Sequence, residues 1–230
     1  MRRACAAARR PPDAVRLVAV TKSVEPPVAA TLARTGQLDL GESRVHELER
    51  KHTALTAAGL EVRWHFLGHL QRNKARRVVA LAHAIHSVDS VRLIDTVARL
   101  ADELHRRPRL FLEVHLSHEP EKEGFAPDEV CAAVERAAAS GLPLAGLMTM
   151  APPVEPGSSD EPARRVFREL AALARTLPAD AFEDGQPRLS MGMSEDFELA
   201  IAEGADLIRV GRALFAGVER GTPAASEEQG

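Results

Sequence analysis

The sequence contains no tyrosine, one tryptophan and seven phenylalanines, so aromatics make up only 3% of its 230 residues. That is too little for the stacking platforms on which single-stranded nucleic acids are bound. Charge of one sign is also missing. Thirty Lys+Arg stand against thirty-three Asp+Glu, a net charge of −3, and no basic field is available to recruit nucleic acid or an anionic membrane surface. Cysteine occurs only at Cys5 and Cys131, far apart and without ligand spacing, which leaves neither a disulfide framework nor a zinc knuckle. A reducing, cytoplasmic compartment is expected. No apolar run approaches the ~20 residues of a membrane span, and the start, with Arg2, Arg3, Arg9 and Arg10, lacks the apolar stretch of a signal peptide. Lysine is scarce as well: it stands only at Lys22, Lys51, Lys74 and Lys122, every other basic position being arginine or histidine. Where any cation would serve, this chain uses arginine, so each lysine raises a question of chemistry.

What is present is the composition of an ordinary globular protein, 45% hydrophobic and 27% charged, which excludes disorder as the main state. Short apolar runs alternate with longer helical patterns from end to end. The runs are Arg16 to Lys22, Leu38 to Glu42, Val62 to Gly68, Ala84 to Val88, Arg109 to Leu116, Leu144 to Thr149, Pro187 to Ser190 and Leu207 to Val210. Between them, segments such as Pro26 to Arg34, Val45 to Ala58, Asn73 to Ala82, Val91 to Arg106, Pro127 to Ala139, Glu161 to Leu177 and Ser194 to Glu203 are long enough for helices. Strand-helix alternation implies parallel strands joined by right-handed crossovers. Eight units fit a single-domain α/β fold, a (β/α)₈ TIM barrel over residues 1–220 somewhat below the typical ~250. A doubly wound open sheet is the alternative. Residues 151–162 read as one exposed loop, and 221–230 as a disordered tail.

Nearly every run closes on a polar residue or glycine, and in a barrel all of these converge on one mouth. Lys22 ends the run Leu17-Val18-Ala19-Val20-Thr21. A strand-end lysine held away from water is the amine that Schiff-base formation requires; the competing reading is a rim ion pair with Glu42. At the other end of the chain, Ser190-Met191-Gly192-Met193-Ser194 follows the seventh run, and Arg209-Val210-Gly211-Arg212 closes the eighth. Barrels often hold phosphate between these two loops, where glycine admits the backbone and free N–H groups point outward. Ser190 and Ser194 add hydroxyl donors, although Ser194 also reads as a helix N-cap and Gly211 as a turn residue. An amine and a phosphate pocket together suggest pyridoxal 5′-phosphate (PLP). A cofactor-free Schiff-base aldolase acting on a sugar phosphate uses the same two features.

The blocks LVAVTK (17–22), LGE (40–42), WHFLGHLQRNK (64–74), IHSVDS (85–90), EKEGF (121–125), GLMTMAP (146–152), LSMGMSEDFELAI (189–201) and IRVG with LF (208–215) resemble, in order, those of the pyridoxal phosphate homeostasis proteins. The resemblance implies a barrel like the N-terminal domain of alanine racemase without its second domain. It also implies a carrier of PLP that has no firmly established catalytic activity and buffers the cofactor or delivers it to apo PLP-dependent enzymes; a cytoplasmic monomer is expected. Lys22 is then the Schiff-base lysine. Ser190, Ser194, Arg209 and Gly211 fall where that family's phosphate- and cofactor-contacting residues lie, and Lys122 matches a family lysine that would be a second, weaker amine. Ser43 and Arg44 depart from the family's usual Asn-Tyr, and His115 stands where Asn is usual.

A PLP enzyme acting on amino acids remains the competing function. Two-base racemisation pairs lysine with tyrosine on opposite faces of the substrate Cα, and this chain has no tyrosine. His65, His69 and His86 alternate with apolar neighbours without a carboxylate at ligand spacing, so they read as packing histidines and no metal is expected. Arg72, Lys74, Arg76 and Arg77 read as a solvated helix face.

Overall fold

A computed structural model describes residues 1–116, 123–154 and 157–217. Eight parallel strands close on themselves: β1 (Arg16–Val20), β2 (Asp39–Glu42), β3 (Arg63–Phe66), β4 (Ala84–Val88), β5 (Arg109–Glu113), β6 (Leu144–Met148), β7 (Arg188–Ser190) and β8 (Leu207–Val210). Each strand pairs with the next in sequence, and β8 returns to β1 with Arg16 opposite Leu207 and Ala19 opposite Val210. That last pairing excludes the open-sheet alternative. The helices are α1 (Arg2–Ala7), α2 (Pro26–Arg34), α3 (Val45–Ala57), α4 (Ala75–Leu81), α5 (Val91–Leu104), α6 (Val130–Ala139), α7 (Glu161–Ala174) and α8 (Phe197–Ala202). Lys122 and the tail 221–230 lie outside the described residues.

Parallel strands buried on both faces read as nearly unbroken apolar runs. Here the two faces enter two separate cores. Residues such as Ala19, Leu40, Ile85, Leu112 and Leu147 join the helices in the outer core. Val18, Ala84, Phe111, Ala145, Met148 and Leu207, with Leu67 against them, fill the barrel. The helices bury stripes at spacings of three and four: Leu93, Ile94, Val97, Leu100 and Ala101 in α5, and Ala163, Val166, Phe167, Leu170, Ala171 and Ala174 in α7. Each fully buried large aliphatic or aromatic side chain contributes about 1.5–3 kcal/mol. Backbone approach is as constrained as side-chain packing. At Gly146 a Cβ would stand 1.9 Å from the Arg188 carbonyl oxygen, so the β6–β7 seam closes only around glycine.

Boundaries differ from the sequence pattern where polar chemistry intervenes. β1 ends at Val20, two residues before Lys22. The third helical segment opens with a 3-10 turn at Arg72–Lys74 before α4, and the final helix starts at Phe197 rather than Ser194.

Lys51 of α3 reaches fully buried beneath the ends of β1 and β2. Its Nζ donates to the Thr21 carbonyl at 2.8 Å and to Glu42 Oε1 at 2.5 Å, with Glu47 Oε2 at 3.3 Å. The Thr21 hydroxyl donates to the same Glu42 oxygen at 2.6 Å. Glu42 is therefore the partner of Lys51, not of Lys22, and the rim ion pair considered for Lys22 does not form. Removing one member of a buried pair leaves the other charge uncompensated, a loss of about 3–5 kcal/mol, whereas replacing both with apolar groups is often close to neutral. Lys51→Met is expected to lose stability in that range in urea unfolding, and Glu42→Leu/Lys51→Met to recover most of it. A loss below about 1 kcal/mol for Lys51→Met would show that the pair does not hold the two strand ends together.

Candidate functional site

Strand parity brings the polar strand ends to the barrel mouth. Val18 faces inward, so Lys22, four residues on, belongs to the same face, and the structure leaves it exposed just past the end of β1. The desolvation invoked from the sequence is therefore not supplied by the protein by itself. No ion pair to Lys22 is formed among the described residues.

Across the chain, the loops after β7 and β8 are joined. Ser194 Oγ accepts the Ala213 N–H at 3.2 Å, and Gly192 adopts φ +93° at a point where a Cβ would meet Ala200. Ser194 is not the helix N-cap. That position belongs to Asp196, whose Oδ1 accepts the Met193 N–H and whose carboxyl is pushed up by burial against that hydrogen bond and the attraction of Arg209. The N–H groups of Ser194, Glu195, Gly211 and Arg212 meet no acceptor among the described residues. At Gly211 a Cβ would stand 3.0 Å from the Val20 carbonyl oxygen, so the backbone of this loop lies tight against β1.

Ser190 and Arg209 are buried inside the barrel rather than presented by the loops. Arg209 Nη1 donates to the Ser190 carbonyl at 2.6 Å and to its Oγ at 2.9 Å, and Nη2 donates to the Thr149 carbonyl at 2.9 Å. Its remaining N–H groups, on Nε and Nη2, meet no acceptor among the described residues. Burial lowers the guanidinium to a pKa of about 10, opposed by Asp196 and Glu113, so it remains charged. The Ser190 hydroxyl lies 2.8 Å from His86 Nδ1. It is thus engaged in the barrel interior, where the sequence reads a hydroxyl donor to phosphate.

Behind Ser190 the chain of contacts continues. His86 Nε2 lies 2.9 Å from His65 Nδ1, and His65 Nε2 lies 3.0 Å from Asp39 Oδ1. Arg63 donates to both Asp39 oxygens at 2.7 Å. Burial raises the Asp39 carboxyl, but the hydrogen bonds from Arg63 and His65 outweigh it and hold the group well below the usual range. Burial lowers His65 and His86, the latter further through its cationic neighbours. His86 also stacks on Phe111, with ring centroids 4.3 Å apart. His65 and His86 are buried and hydrogen-bonded, as satisfied packing histidines are; the sequence does not name their partners. His69 is different: it is half exposed at the mouth, 2.8 Å from Glu123 and 3.3 Å from Asp89, so carboxylates absent from its sequence neighbourhood surround it in space. The side chains of Ser43 and Arg44 form no polar contact to the mouth among the described residues. Arg76 and Arg77 pair with Glu103 and Glu49 on the outer surface, as a solvated face does.

Glu113 closes β5 facing the mouth. Burial, then the charge of Asp89, raises its pKa to about 7, with Arg209 opposing and Glu123 adding to the rise. A carboxyl whose folded pKa exceeds its unfolded value holds an extra proton when folded, so stability falls as pH rises between about 4.5 and 7. Glu113→Gln is expected to be more stable than the parent at pH 8, by up to about 3 kcal/mol. The difference should vanish near pH 4.5. Thermal unfolding of both proteins across this range checks it, and a gap independent of pH would refute the assignment.

Comparison with known proteins matches this fold. The family model described as "Alanine racemase, N-terminal domain" matches residues 2–218. A "Pyridoxal phosphate homeostasis protein" of Deinococcus radiodurans is 39% identical over 220 residues, covering 94% of this chain and 96% of that one. Its namesake in Aquifex aeolicus is 34% identical over 216 residues, covering 94% and 92%. Among solved structures, PipY of Synechococcus elongatus PCC7942 with PLP bound superposes with a TM-score of 0.78 at 36% identity, over 94% of this chain and 98% of PipY. An alanine racemase of Clostridium difficile 630 shares the fold at a TM-score of 0.70 and 14% identity, and this chain covers 53% of it. No helix among the described residues is long and apolar enough to cross a membrane. With its closed barrel, its mouth lysine and relatives alike over nearly their whole lengths, the chain belongs to the alanine racemase N-terminal domain family, among the pyridoxal phosphate homeostasis proteins.

Proposed function

We propose that this protein is a non-catalytic carrier of PLP, held as a Schiff base on Lys22, which buffers the cofactor in the cytoplasm and releases it to apo PLP-dependent enzymes. The observation that carries the reading is the bridge between Ser194 and Ala213. It joins the loops after β7 and β8 beside four N–H groups that have no acceptor among the described residues, on the same mouth as the exposed Lys22. The residues fit the cofactor: an amine for its aldehyde, backbone donors for its phosphate, and a buried guanidinium with unused N–H groups for its ring. The cofactor supplies an aldehyde that condenses reversibly with primary amines.

The roles of the chain's own residues follow from their surroundings. Lys22 offers Nζ to the aldehyde from a backbone fixed by the Lys51 contact to the Thr21 carbonyl. Ser194, Gly211 and their neighbouring N–H groups bind the phosphate, with Gly211 allowing the backbone to approach. Arg209 orients the ring, and Ser190 holds Arg209 rather than the phosphate. The names of the relatives support a homeostatic role. The lack of tyrosine supports the absence of efficient two-base chemistry. A monomeric state is part of the same proposal.

Borohydride reduction of the protein loaded with PLP is expected to leave a stable adduct, detected by intact mass, on Lys22. Lys22→Ala should lose the adduct while keeping its melting temperature, because an exposed side chain leaves no core cavity. Undiminished adduct in Lys22→Ala sinks the assignment, and transfer of the label to Lys122 relocates the amine.

Pyridoxal lacks the phosphate and should bind at least tenfold more weakly than PLP, since a charge-assisted hydrogen bond contributes ~1.5–3 kcal/mol. Gly211→Val should close most of that gap by weakening only the phosphorylated form. Equal affinities in the parent protein would place the phosphate elsewhere.

A further inference from the structure

The barrel interior contains a line of five side chains that runs from its floor to its mouth: Asp39, His65, His86, Ser190 and Arg209, in contacts of 3.0, 2.9, 2.8 and 2.9 Å. The proton positions along it follow from the chemistry of its two ends. An ionised carboxylate only accepts and a guanidinium only donates. Asp39 therefore takes its bond from a proton on His65 Nε2. With the imidazole neutral, Nδ1 of His65 is an acceptor and takes the proton on His86 Nε2. Nδ1 of His86 is then also an acceptor and takes the Ser190 O–H. Ser190 Oγ in turn accepts from Arg209.

Every donor in the line points towards Asp39. Reversing any link places an extra proton on the two rings, an imidazolium within a barrel that already buries Arg209 and has His83 and Arg63 beside His65. Burial and these neighbours oppose it. Glu113 and Asp196, the carboxylates facing Arg209, act on its charge and are not hydrogen-bonded into the line.

We propose that Asp39, His65 and His86 are positioning residues for the cofactor site: by keeping the Ser190 hydroxyl proton turned away from Arg209, they fix the guanidinium so that its unused N–H groups face the bound ring. This rests on the function proposed above and adds to it. The ring's donor is placed by a charge at the floor of the barrel, through two neutral imidazoles that touch no ligand.

The first test needs no cofactor. Long-range ¹H–¹⁵N correlation of histidine-labelled protein is expected to show His65 and His86 both as Nε2–H tautomers, unchanged from pH 6 to 9. An Nδ1–H tautomer, or a charged ring, at either position overturns the line.

The second test uses two variants of His86. His86→Phe keeps the stack on Phe111 but removes the acceptor for Ser190. It should remain folded by circular dichroism and still give a borohydride adduct on Lys22, with the dissociation constant for PLP raised about tenfold and the absorbance maximum of the bound cofactor shifted. His86→Asn returns an amide oxygen near the Nδ1 position and should restore most of both. Parental affinity and absorbance in His86→Phe overturn the positioning role. If the parent protein itself gives no adduct, the functional reading fails while the tautomer result stands.

Discussion

A guanidinium buried inside the barrel sets the terms for much of what surrounds it. Arg209 is held on β8 with burial acting against its charge, and an ion in such a place is tolerated only when hydrogen-bonded and compensated. Two backbone carbonyls and one hydroxyl answer it directly. One carbonyl is that of Thr149, just past β6, and the other that of Ser190 at the end of β7, so Arg209 ties three neighbouring strands at the mouth. The hydroxyl then has to dispose of its own proton, which draws in His86, His65 and finally Asp39. A barrel filled only with Val18, Phe111 and Met148 would be simpler to pack, but it would present no fixed donor at its mouth.

The outer side of the same mouth repeats this solution with other residues. Lys51 is buried in the layer between barrel and helices, satisfied by Glu42 and by the Thr21 carbonyl. Its contacts fix the two strand ends from which Lys22 and the β2–α3 loop emerge. One oxygen of Glu42 has no partner among the described residues, so the arrangement is not optimised for stability alone. Lys22 carries no such constraint on its side chain. A rigid base and an unpaired amine are what a reversible covalent contact requires, since an ion pair to Lys22 would have to break each time.

How much of this was legible in the sequence depends on whether a feature is local. All eight strands stand in the apolar runs, and the convergence of Lys22, Ser194 and Gly211 on one mouth follows from the barrel topology. Strand parity also signals that His65 and His86 point inward, since Trp64, Phe66 and Ile85 take the other face. What it does not contain is which inward residues meet. Asp39, His65, His86 and Ser190 come from four different strands, and their contacts depend on stagger and on the register shift between Ile85 and Val88. Lys51 is a sharper lesson. The scarcity of lysine pointed to four positions, and the one fully buried among the described residues, Lys51, sits in an unremarkable helix where only its partners at the ends of β1 and β2 give it meaning. Ser190 shows the reverse case: a serine next to a glycine-bearing loop reads as a ligand contact, yet parity turns its hydroxyl into the barrel.

Openness at the mouth and order beneath it have different consequences for a carrier. A site that holds its ligand by one reversible covalent bond retains it through the non-covalent contacts, because water that reaches the amine can hydrolyse the link. Lys22 is exposed at the mouth, so water is not excluded from it as it is in a closed active site. On the proposed reading that is suited to release. On the same reading retention falls to Arg209 and to the loops joined by Ser194, which are already held by hydrogen bonds within the chain. Preorganised donors lose little conformational freedom on binding, which strengthens non-covalent holding without closing a lid. On the proposed reading, the protein holds a reactive aldehyde firmly enough to keep its free concentration low while leaving the covalent link open to exchange with an acceptor's own lysine.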